Sequence, residues 1–246
     1  MNLIKTKSFE IAVNIKGDVN SIKLAIVLPG RLDTKDYVHM ISLVDYLASR
    51  GYLALSFDPP GTWDSLGDIE LYTTTNYLKA VDELIEYFGN KSTLLVGHSR
   101  GGTIAMLVGP QNPHVTHFIS IFSYYGAPRD PREERIVNGN VISYRGLPPG
   151  NIKNTAQKEF ALPLSYFKDA KQYNALESLK NCTKPKLFFY GTKDDINKPE
   201  EIKEAFEKSA DPKVLYALDS SHSYRYSPQL IEEINLVIGK FLDTII

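Results

Sequence analysis

One serine has the neighbours that a nucleophile in a tight turn requires. Residues 97–101 read Gly-His-Ser-Arg-Gly and directly follow residues 93–96, an apolar run typical of a buried strand. The flanking glycines allow strand and helix backbones to approach closely, and residues 101–106 continue as a helix-like segment rich in small side chains. This G-x-S-x-G pattern predicts that Ser99 is an exposed nucleophile. It also directs the Arg100 N–H at a developing oxyanion.

The elements that must position this serine recur along the chain. Short apolar runs alternate with segments whose apolar residues follow the 3.6-residue helical period. Continuous apolar runs are typical of parallel strands covered on both faces, and strand–helix alternation indicates βαβ units. The predicted fold class is therefore α/β, a mostly parallel sheet flanked by helices. The strand-like runs are residues 24–28, 52–57, 93–96, 118–122, 186–190 and 214–218, and the helical segments include residues 41–48, 78–88 and 228–241.

Two segments depart from this alternation. Residues 9–15 alternate between apolar and polar side chains, which predicts an antiparallel edge strand. Residues 127–181 contain several prolines, a charged cluster at 129–135 and short helix-like pieces, and we interpret them as an insertion over the sheet. The predicted organisation is one core, formed by residues 1–126 and 182–246, with a small cap or lid formed by residues 127–181.

The turn at Ser99, with its flanking strand and helix, resembles the nucleophile elbow of the α/β-hydrolase superfamily, in its serine esterase and serine aminopeptidase-like branch. That family carries its triad in the chain order Ser, acid, His, with the acid and the histidine after late strands. Here Asp194 follows the penultimate predicted strand in a turn similar to the family's G-x-x-D, and His222 follows the last one. The resemblance implies a Ser99–Asp194–His222 triad, with the adjacent Asp195 as an alternative acid.

Two loops extend the resemblance toward the N-terminus. Residues 28–31 read Leu-Pro-Gly-Arg at the position from which the family takes its second oxyanion donor. The resemblance assigns that donor to the backbone N–H of Arg31, which would act beside the N–H of Arg100. Residues 58–65 are similar to the family's D-x-x-G-x-G-x-S loop, with Trp63 at the second glycine position. Together these segments imply a complete acyl-transfer site.

Four arginines offer bidentate contacts to a substrate carboxylate. Arg31 and Arg100 carry the predicted oxyanion donors, while Arg145 lies in the cap and Arg225 in the histidine loop. Tyr166 is one of several cap aromatics that either line an acyl pocket or pack the cap onto the sheet. Substrate binding by Arg145, Arg225 and Tyr166 is one hypothesis, and structural ion pairing of the arginines is the alternative. The acids considered as such partners are Asp58, Asp64 and Asp219.

The remaining histidines carry weaker signals. His98 is expected to orient the turn rather than to catalyse, and His39 is expected on a helix surface. His114 and His117 lie three residues apart beside Pro113, and no carboxylate is near them in sequence. A loop entering a strand is therefore favoured over a metal site there. The sequence predicts a site without metal or cofactor.

Composition narrows the class of partner. The chain has 246 residues, 28 basic and 29 acidic side chains, a net charge of −1 and one cysteine, Cys182. This balance gives no reason to expect nucleic acid or an anionic membrane as a partner, and one cysteine excludes an intramolecular disulfide. Polar residues appear early at the N-terminus, so no secretory signal is predicted and a cytoplasmic location is expected. A small-molecule substrate is the expected partner.

These observations predict an enzyme, a serine hydrolase of carboxylesterase type. It would cleave an ester-type acyl bond of a small or medium substrate through an acyl-enzyme. A peptidase or amidase and a thioesterase are alternatives that use the same triad. A non-catalytic ligand-binding protein of the same fold is the alternative from another class, and the intact set of Ser99, Asp194 and His222 argues against it.

Overall fold

Eleven strands form two sheets in a computed structural model that describes residues 2–153 and 156–244. The strands are β1 (Asn2–Lys5), β2 (Glu10–Lys16), β3 (Lys23–Leu28), β4 (Leu53–Phe57), β5 (Ser92–His98), β6 (Val115–Ile121), β7 (Ile136–Val137), β8 (Asn140–Gly146), β9 (Gln157–Pro163), β10 (Lys186–Gly191) and β11 (Lys213–Leu218). The larger sheet has the order β1-β2-β4-β3-β5-β6-β10-β11, and the smaller has the order β7-β8-β9.

The six central and C-terminal strands of the large sheet, β3 to β6 with β10 and β11, pair in parallel, as their continuous apolar runs predict. The antiparallel strand predicted at residues 9–15 is confirmed as β2, but its predicted edge position is wrong. Strand β1 pairs with the outer side of β2 and forms the edge of the sheet. This strand carries little sequence signal because it has four residues and only Ile4 is buried.

Helices cover both faces of the large sheet. They are α1 (Val38–Ser49), α2 (Thr74–Tyr87), α3 (Arg100–Gln111), α4 (Leu164–Ala170), α5 (Ala175–Lys180), α6 (Pro199–Lys208) and α7 (Pro228–Thr244). Buried side chains of α2, α3, α5 and α6 join the core on one face, and those of α1 and α7 join the core on the other. The three helical segments predicted from periodicity are thereby confirmed as α1, α2 and α7. No helix within the described ranges combines the length and apolar character needed to cross a membrane.

Polar residues fix where two of these helices begin. The Thr73 hydroxyl accepts a hydrogen bond from the Asn76 N–H (3.0 Å) at the start of α2. Ser227 precedes Pro228, the first residue of α7, and its hydroxyl accepts from the Leu230 N–H (3.4 Å). Both contacts satisfy backbone donors that have no partner inside a helix.

The segment interpreted as a cap forms the β7-β8-β9 sheet and helices α4 and α5. The sequence indicates the helical pieces but not the strands. Strand β8 has a single buried residue, Val141. In β9 only Phe160 and Leu162 are buried, although the Ala161 between them is also apolar, so no alternation is visible in the sequence.

Hydrogen bonds hold the cap sheet over the loop that follows β3. The Tyr37 hydroxyl donates to the Gly146 carbonyl (2.8 Å), and the Val38 N–H donates to the Pro149 carbonyl (2.8 Å). The Arg145 guanidinium donates to the carbonyl of Arg31 at 2.9 and 3.1 Å. These contacts bring a cap arginine to the carboxyl end of the sheet. The division into a core of 1–126 and 182–246 and a cap of 127–181 stays an interpretation.

Candidate active site

The predicted nucleophile lies in a strained turn between β5 and α3. Ser99 has φ 52° and ψ −120°, a region that non-glycine residues rarely occupy and that is common at functional sites. A Cβ added to Gly97 would lie 2.1 Å from the Gly101 carbonyl carbon, and one added to Gly101 would lie 2.0 Å from the Leu28 oxygen. Both glycines are therefore required by close backbone approach, and the turn can form only with them.

The predicted triad residues lie within hydrogen-bond distance of one another. The Ser99 hydroxyl and His222 Nε2 are 2.9 Å apart, and His222 Nδ1 and Asp194 Oδ2 are 2.8 Å apart. Asp194 and His222 are both buried. The geometry suits proton transfer from the serine to an imidazole oriented by a carboxylate. The catalytic roles of the three residues stay predictions.

Backbone donors distinguish Asp194 from its neighbour Asp195. Asp194 Oδ1 accepts hydrogen bonds from the N–H groups of Ile196 (2.9 Å) and Asn197 (3.0 Å), which leaves Oδ2 directed at His222. Asp195 is exposed and lies on the cavity wall. The geometry thus favours Asp194 as the acid over the alternative.

The two predicted oxyanion donors lie on the β3–α1 loop and at the start of α3. A Cβ added to Gly30, beside Arg31, would lie 3.4 Å from Ser99 Cβ, so this loop passes directly next to the serine. Within the described ranges, neither the Arg31 N–H nor the Arg100 N–H donates to a protein acceptor. Unpaired N–H groups beside a nucleophile are the donors that a tetrahedral oxyanion requires.

Aromatic side chains anchor this loop. The Tyr77 hydroxyl donates to the Pro29 carbonyl (2.9 Å), and the Leu32 N–H donates to the Tyr72 hydroxyl (3.1 Å). Trp63 Nε1 donates to the Leu32 carbonyl (2.9 Å). Trp63 itself has φ 47°, which explains why the family motif has glycine at this position. The loop carrying Arg31 is thus held from several sides.

A buried carboxylate that the sequence did not indicate organises the polar side of the site. Asp33 Oδ1 lies 3.4 Å from Arg225 and 3.7 Å from Arg145, and its Oδ2 lies 3.7 Å from His98 Nδ1. Burial alone would raise the pKa of Asp33, but the His98 ring and the two guanidinium groups outweigh it and hold this pKa well below its usual range. Asp33 is therefore ionised.

The structural partner of Arg145 and Arg225 is therefore Asp33. The prediction that Asp58, Asp64 or Asp219 pairs with these arginines is wrong. Asp58 and Asp64 instead pair with Lys35 (3.2 and 2.7 Å). The third of those acids, Asp219, pairs with Lys193. Asp33 has no periodic or motif signal, because it follows the strand β3 in an irregular loop.

His98 and His39 are both buried beside Asp33. Nε2 of His98 lies 3.1 Å from the carbonyl oxygen of His222, which is consistent with an orienting role. The predicted surface position of His39 is wrong, since its ring is 1% exposed and packs against His98 and Tyr224. Burial lowers the pKa of His98 and lowers that of His39 well below its usual value. Both rings are therefore neutral at physiological pH.

Asp33, His39 and His98 offer three ligand atoms within 4.8 Å of one another, a set with the chemistry of a divalent metal site. The carboxylate of this set already faces the guanidinium groups of Arg145 and Arg225. A divalent cation would add a third positive partner to one carboxylate. We therefore interpret Asp33 as the ion-pair partner of these arginines, with the rings of His39 and His98 packed beside it. The metal-free site stays a prediction.

A cavity of about 720 Å³ is lined by Ser99 and His222. All of the proposed substrate-binding residues, Arg145, Arg225 and Tyr166, also line it. Tyr166 stacks on Tyr72 with ring centroids 5.2 Å apart. Three cap arginines, noticed in the sequence only as part of a charged cluster, lie on the same wall: Arg129, Arg132 and Arg135.

Comparisons with known proteins support this architecture. A family model described as the alpha/beta hydrolase fold matches residues 25–138. Mouse palmitoyl-protein thioesterase ABHD10, mitochondrial, is 24% identical over 185 residues, covering 70% of this chain and 58% of that protein. The chain thus spans little more than half the length of the curated relatives it matches.

Two solved structures share the fold over nearly the whole chain. Est1E from Butyrivibrio proteoclasticus, with ferulic acid bound, has a TM-score of 0.76 at 17% identity and covers 98% of both chains. Alpha/beta hydrolase domain-containing protein 10 from mouse has a TM-score of 0.77 at 20% identity and covers 100% of this chain and 99% of that one. With the strand order and the matched family model, these similarities show that the chain has the α/β-hydrolase fold.

Proposed function

We propose that the protein is a serine hydrolase that cleaves an ester-type acyl bond of a small or medium substrate, in the manner of a carboxylesterase. The observation that carries this proposal is the continuous hydrogen-bond chain from Ser99 through His222 to Asp194, at 2.9 and 2.8 Å, open to a cavity. The N–H groups of Arg31 and Arg100, which donate to no acceptor in the described part of the chain, supply the complementary feature, a place for the oxyanion.

The reaction follows from this geometry. Ser99 Oγ attacks the acyl carbonyl while its proton passes to His222 Nε2, and Asp194 holds Nδ1–H and stabilises the imidazolium. The N–H groups of Arg31 and Arg100 bind the oxyanion, and loss of one such donor costs about 10²–10³ in kcat. His222 then protonates the leaving alcohol, and a water activated by the same imidazole releases the acyl group from Ser99.

Thioester hydrolysis is the second candidate, favoured by the name of the ABHD10 relatives, palmitoyl-protein thioesterase. Ester and thioester cleavage share the acyl-enzyme and differ in the leaving group. The many arginines of the cavity favour a small polar acyl group over a palmitoyl chain. Peptidase or amidase activity and a non-catalytic binding role remain the weaker alternatives. The same relatives are named mitochondrial, and the cytoplasmic location of this chain stays a prediction.

A fluorophosphonate probe tests the proposal directly. Wild-type protein should be labelled, and Ser99→Ala should not. Ser223→Ala removes another serine of the same cavity wall and is the matched control that should stay labelled. Absence of labelling in folded wild type, or equal labelling of Ser99→Ala, would overturn the hydrolase proposal.

Activity on matched acyl compounds then separates the reaction classes. The same short acyl group is presented as a p-nitrophenyl ester, an alkyl thioester and a p-nitroanilide. We expect the highest kcat/KM on the ester and measurable turnover of the thioester. A faster anilide reaction would replace the esterase assignment with an amidase or peptidase.

A further inference from the structure

The arginines of this chain are concentrated at one place. The sequence contains eight arginines and 20 lysines. Seven of the arginines line the cavity at Ser99, and no lysine does so in the described part of the chain. Four of them come from core loops and β8: Arg31, Arg100, Arg145 and Arg225. The other three, Arg129, Arg132 and Arg135, belong to the cap loop, and the eighth, Arg50, lies at the end of α1.

This concentration is specific for the guanidinium group rather than for positive charge. The protein as a whole carries a net charge of −1, and only three carboxylates line the same wall: Asp33, Asp195 and Glu201. A general electrostatic field would use lysine and arginine alike. Arginine alone presents a planar fork that binds a carboxylate or a phosphate through two parallel hydrogen bonds. The cavity therefore has the chemistry of a site that recognises a carboxylate or a phosphate group on the ligand.

Arg100 is the strongest single indication. Its residue is 7% exposed, and its guanidinium donates only to neutral oxygens, the Gly126 carbonyl (3.3 Å) and the Thr74 hydroxyl. Its Nε has no acceptor, and within the described ranges no carboxylate lies within ion-pair distance. A buried cation without a counter-charge is strongly unfavourable. An anion bound in the cavity would supply that counter-charge.

The other core arginines differ in how far they are already compensated. Arg145 and Arg225 share the carboxylate of Asp33, and Arg225 also stacks on Tyr37 at 4.6 Å. The Arg31 guanidinium makes no ion pair or hydrogen bond within the described ranges and is half-buried. Among the described residues, Arg31 and Arg100 are thus the two core arginines without a carboxylate partner, and the N–H groups of both residues flank the serine.

We propose that the cavity selects an anionic acyl substrate, an ester or thioester that carries a carboxylate or phosphate group bound by the side chains of Arg100 and Arg31. This inference rests on the proposed hydrolase function of the same site. It makes the two side chains determinants of specificity, in addition to the part their backbone N–H groups play at the oxyanion.

Three p-nitrophenyl esters of equal chain length test the proposal. They are mono-p-nitrophenyl adipate, which carries a free carboxylate, methyl p-nitrophenyl adipate, which is neutral, and the p-nitrophenyl ester of 5-phosphonopentanoic acid. Spontaneous hydrolysis is subtracted from each rate. Wild type should prefer one of the two anionic esters over the neutral one by about ten-fold or more in kcat/KM, because charge-assisted hydrogen bonds contribute that much. The carboxylate and phosphonate arms identify which anion is bound.

Substitution of the arginines gives the decisive comparison. Arg100→Gln and Arg31→Gln should each lower the anionic-to-neutral ratio of kcat/KM by about ten-fold, and Arg100→Lys should recover only part of it because it lacks the fork. Arg50→Gln, outside the cavity, should keep the wild-type ratio. The half-buried Arg31 keeps the test decisive if the Arg100 variant does not fold.

Binding to Ser99→Ala separates this proposal from the proposed function. If calorimetry shows that Ser99→Ala binds mono-p-nitrophenyl adipate better than methyl p-nitrophenyl adipate, anion selection stands even where wild type shows no turnover. If wild type hydrolyses neutral and anionic esters equally, and the arginine variants leave the ratio unchanged, anion selection is wrong and the hydrolase proposal stands.

Discussion

The three triad side chains have fixed protein partners, whereas the four core arginines of the same cavity share one carboxylate or have none among the described residues. His222 bridges Ser99 and Asp194, and the second oxygen of Asp194 is held by two backbone N–H groups. By contrast, two arginines share the single carboxylate of Asp33, and the buried guanidinium of Arg100 meets only neutral oxygens.

This difference separates two requirements of one site. Groups that move protons or stabilise developing charge are effective when they are already oriented before the substrate arrives. Groups that recognise a charged ligand gain most when the ligand completes their hydrogen bonds. The first set lies in the turns that end the sheet strands, and much of the second lies in the cap and in loops facing it.

The largest effect should come from the nucleophile. Ser99→Ala should lower kcat on p-nitrophenyl acetate by about 10⁶-fold, the loss found when the serine of a comparable triad is removed. Circular dichroism of the variant should match wild type, because the hydroxyl contributes to no core contact. Residual activity within a hundred-fold of wild type would place the reaction at another group.

The next effect separates the two adjacent acids. Asp194→Asn removes the carboxylate that orients His222 and should lower kcat by about 10⁴-fold. Asp195→Asn is the matched control, and it should retain near wild-type kcat because that side chain is exposed and makes no contact with His222. Equal losses in both variants, or a larger loss for Asp195→Asn, would contradict the assignment.

Among the groups that contact the arginines, loss of Asp33 should lower the free energy of unfolding. Asp33→Asn leaves the Arg145 and Arg225 guanidinium groups without their shared counter-charge, and breaking a buried ion pair in this way costs about 3–5 kcal/mol. Urea unfolding measures the free energy of unfolding. The exposed pair of Asp219 with Lys193 provides the control, and Asp219→Asn should produce no comparable loss. Equal stabilities of the two variants would show that Asp33 does not support the cavity.

A smaller effect concerns how the stability of the fold depends on pH, through a histidine that does not line the cavity. Burial lowers the pKa of His117, on β6, from 6.5 to about 4. Between these values the unfolded chain binds a proton that the folded protein does not, so stability is lost as pH falls through this window, by up to about 1.4 kcal/mol per pH unit. In urea unfolding, His117→Gln should show a shallower pH dependence than wild type from pH 6.5 to 4. Parallel curves would contradict this origin.

The triad could be predicted from the sequence because each member follows a strand end that local patterns reveal. Ser99 lies in a tight turn whose glycines are visible in the adjacent sequence. Asp194 and His222 follow apolar runs that form β10 and β11. The fold class follows from the same runs. Only the short edge strand and the cap strands lack such a signal, since few of their residues are buried in an alternating pattern.

The electrostatic partners could not be predicted because they are set by tertiary contacts. Asp33 and Arg225 are 192 residues apart in the chain, and no spacing rule relates them. The burial of His39 depends on rings contributed by β5 and the histidine loop, so its position on α1 alone indicates nothing. The 58–65 loop resembles a motif that has glycine at the position of Trp63, and the structure supplies the reason, the positive φ of Trp63.

Identification of the acylated residue tests the central claim most directly. Wild-type protein is mixed with p-nitrophenyl acetate, quenched in acid during turnover, and analysed by intact-mass and peptide-mapping mass spectrometry. The proposed mechanism predicts a species heavier by one acetyl group, with the acetyl group on the peptide that contains Ser99 and absent from Ser99→Ala. Turnover by wild type with the acetyl group on another residue, or with the same modification in Ser99→Ala, would contradict it.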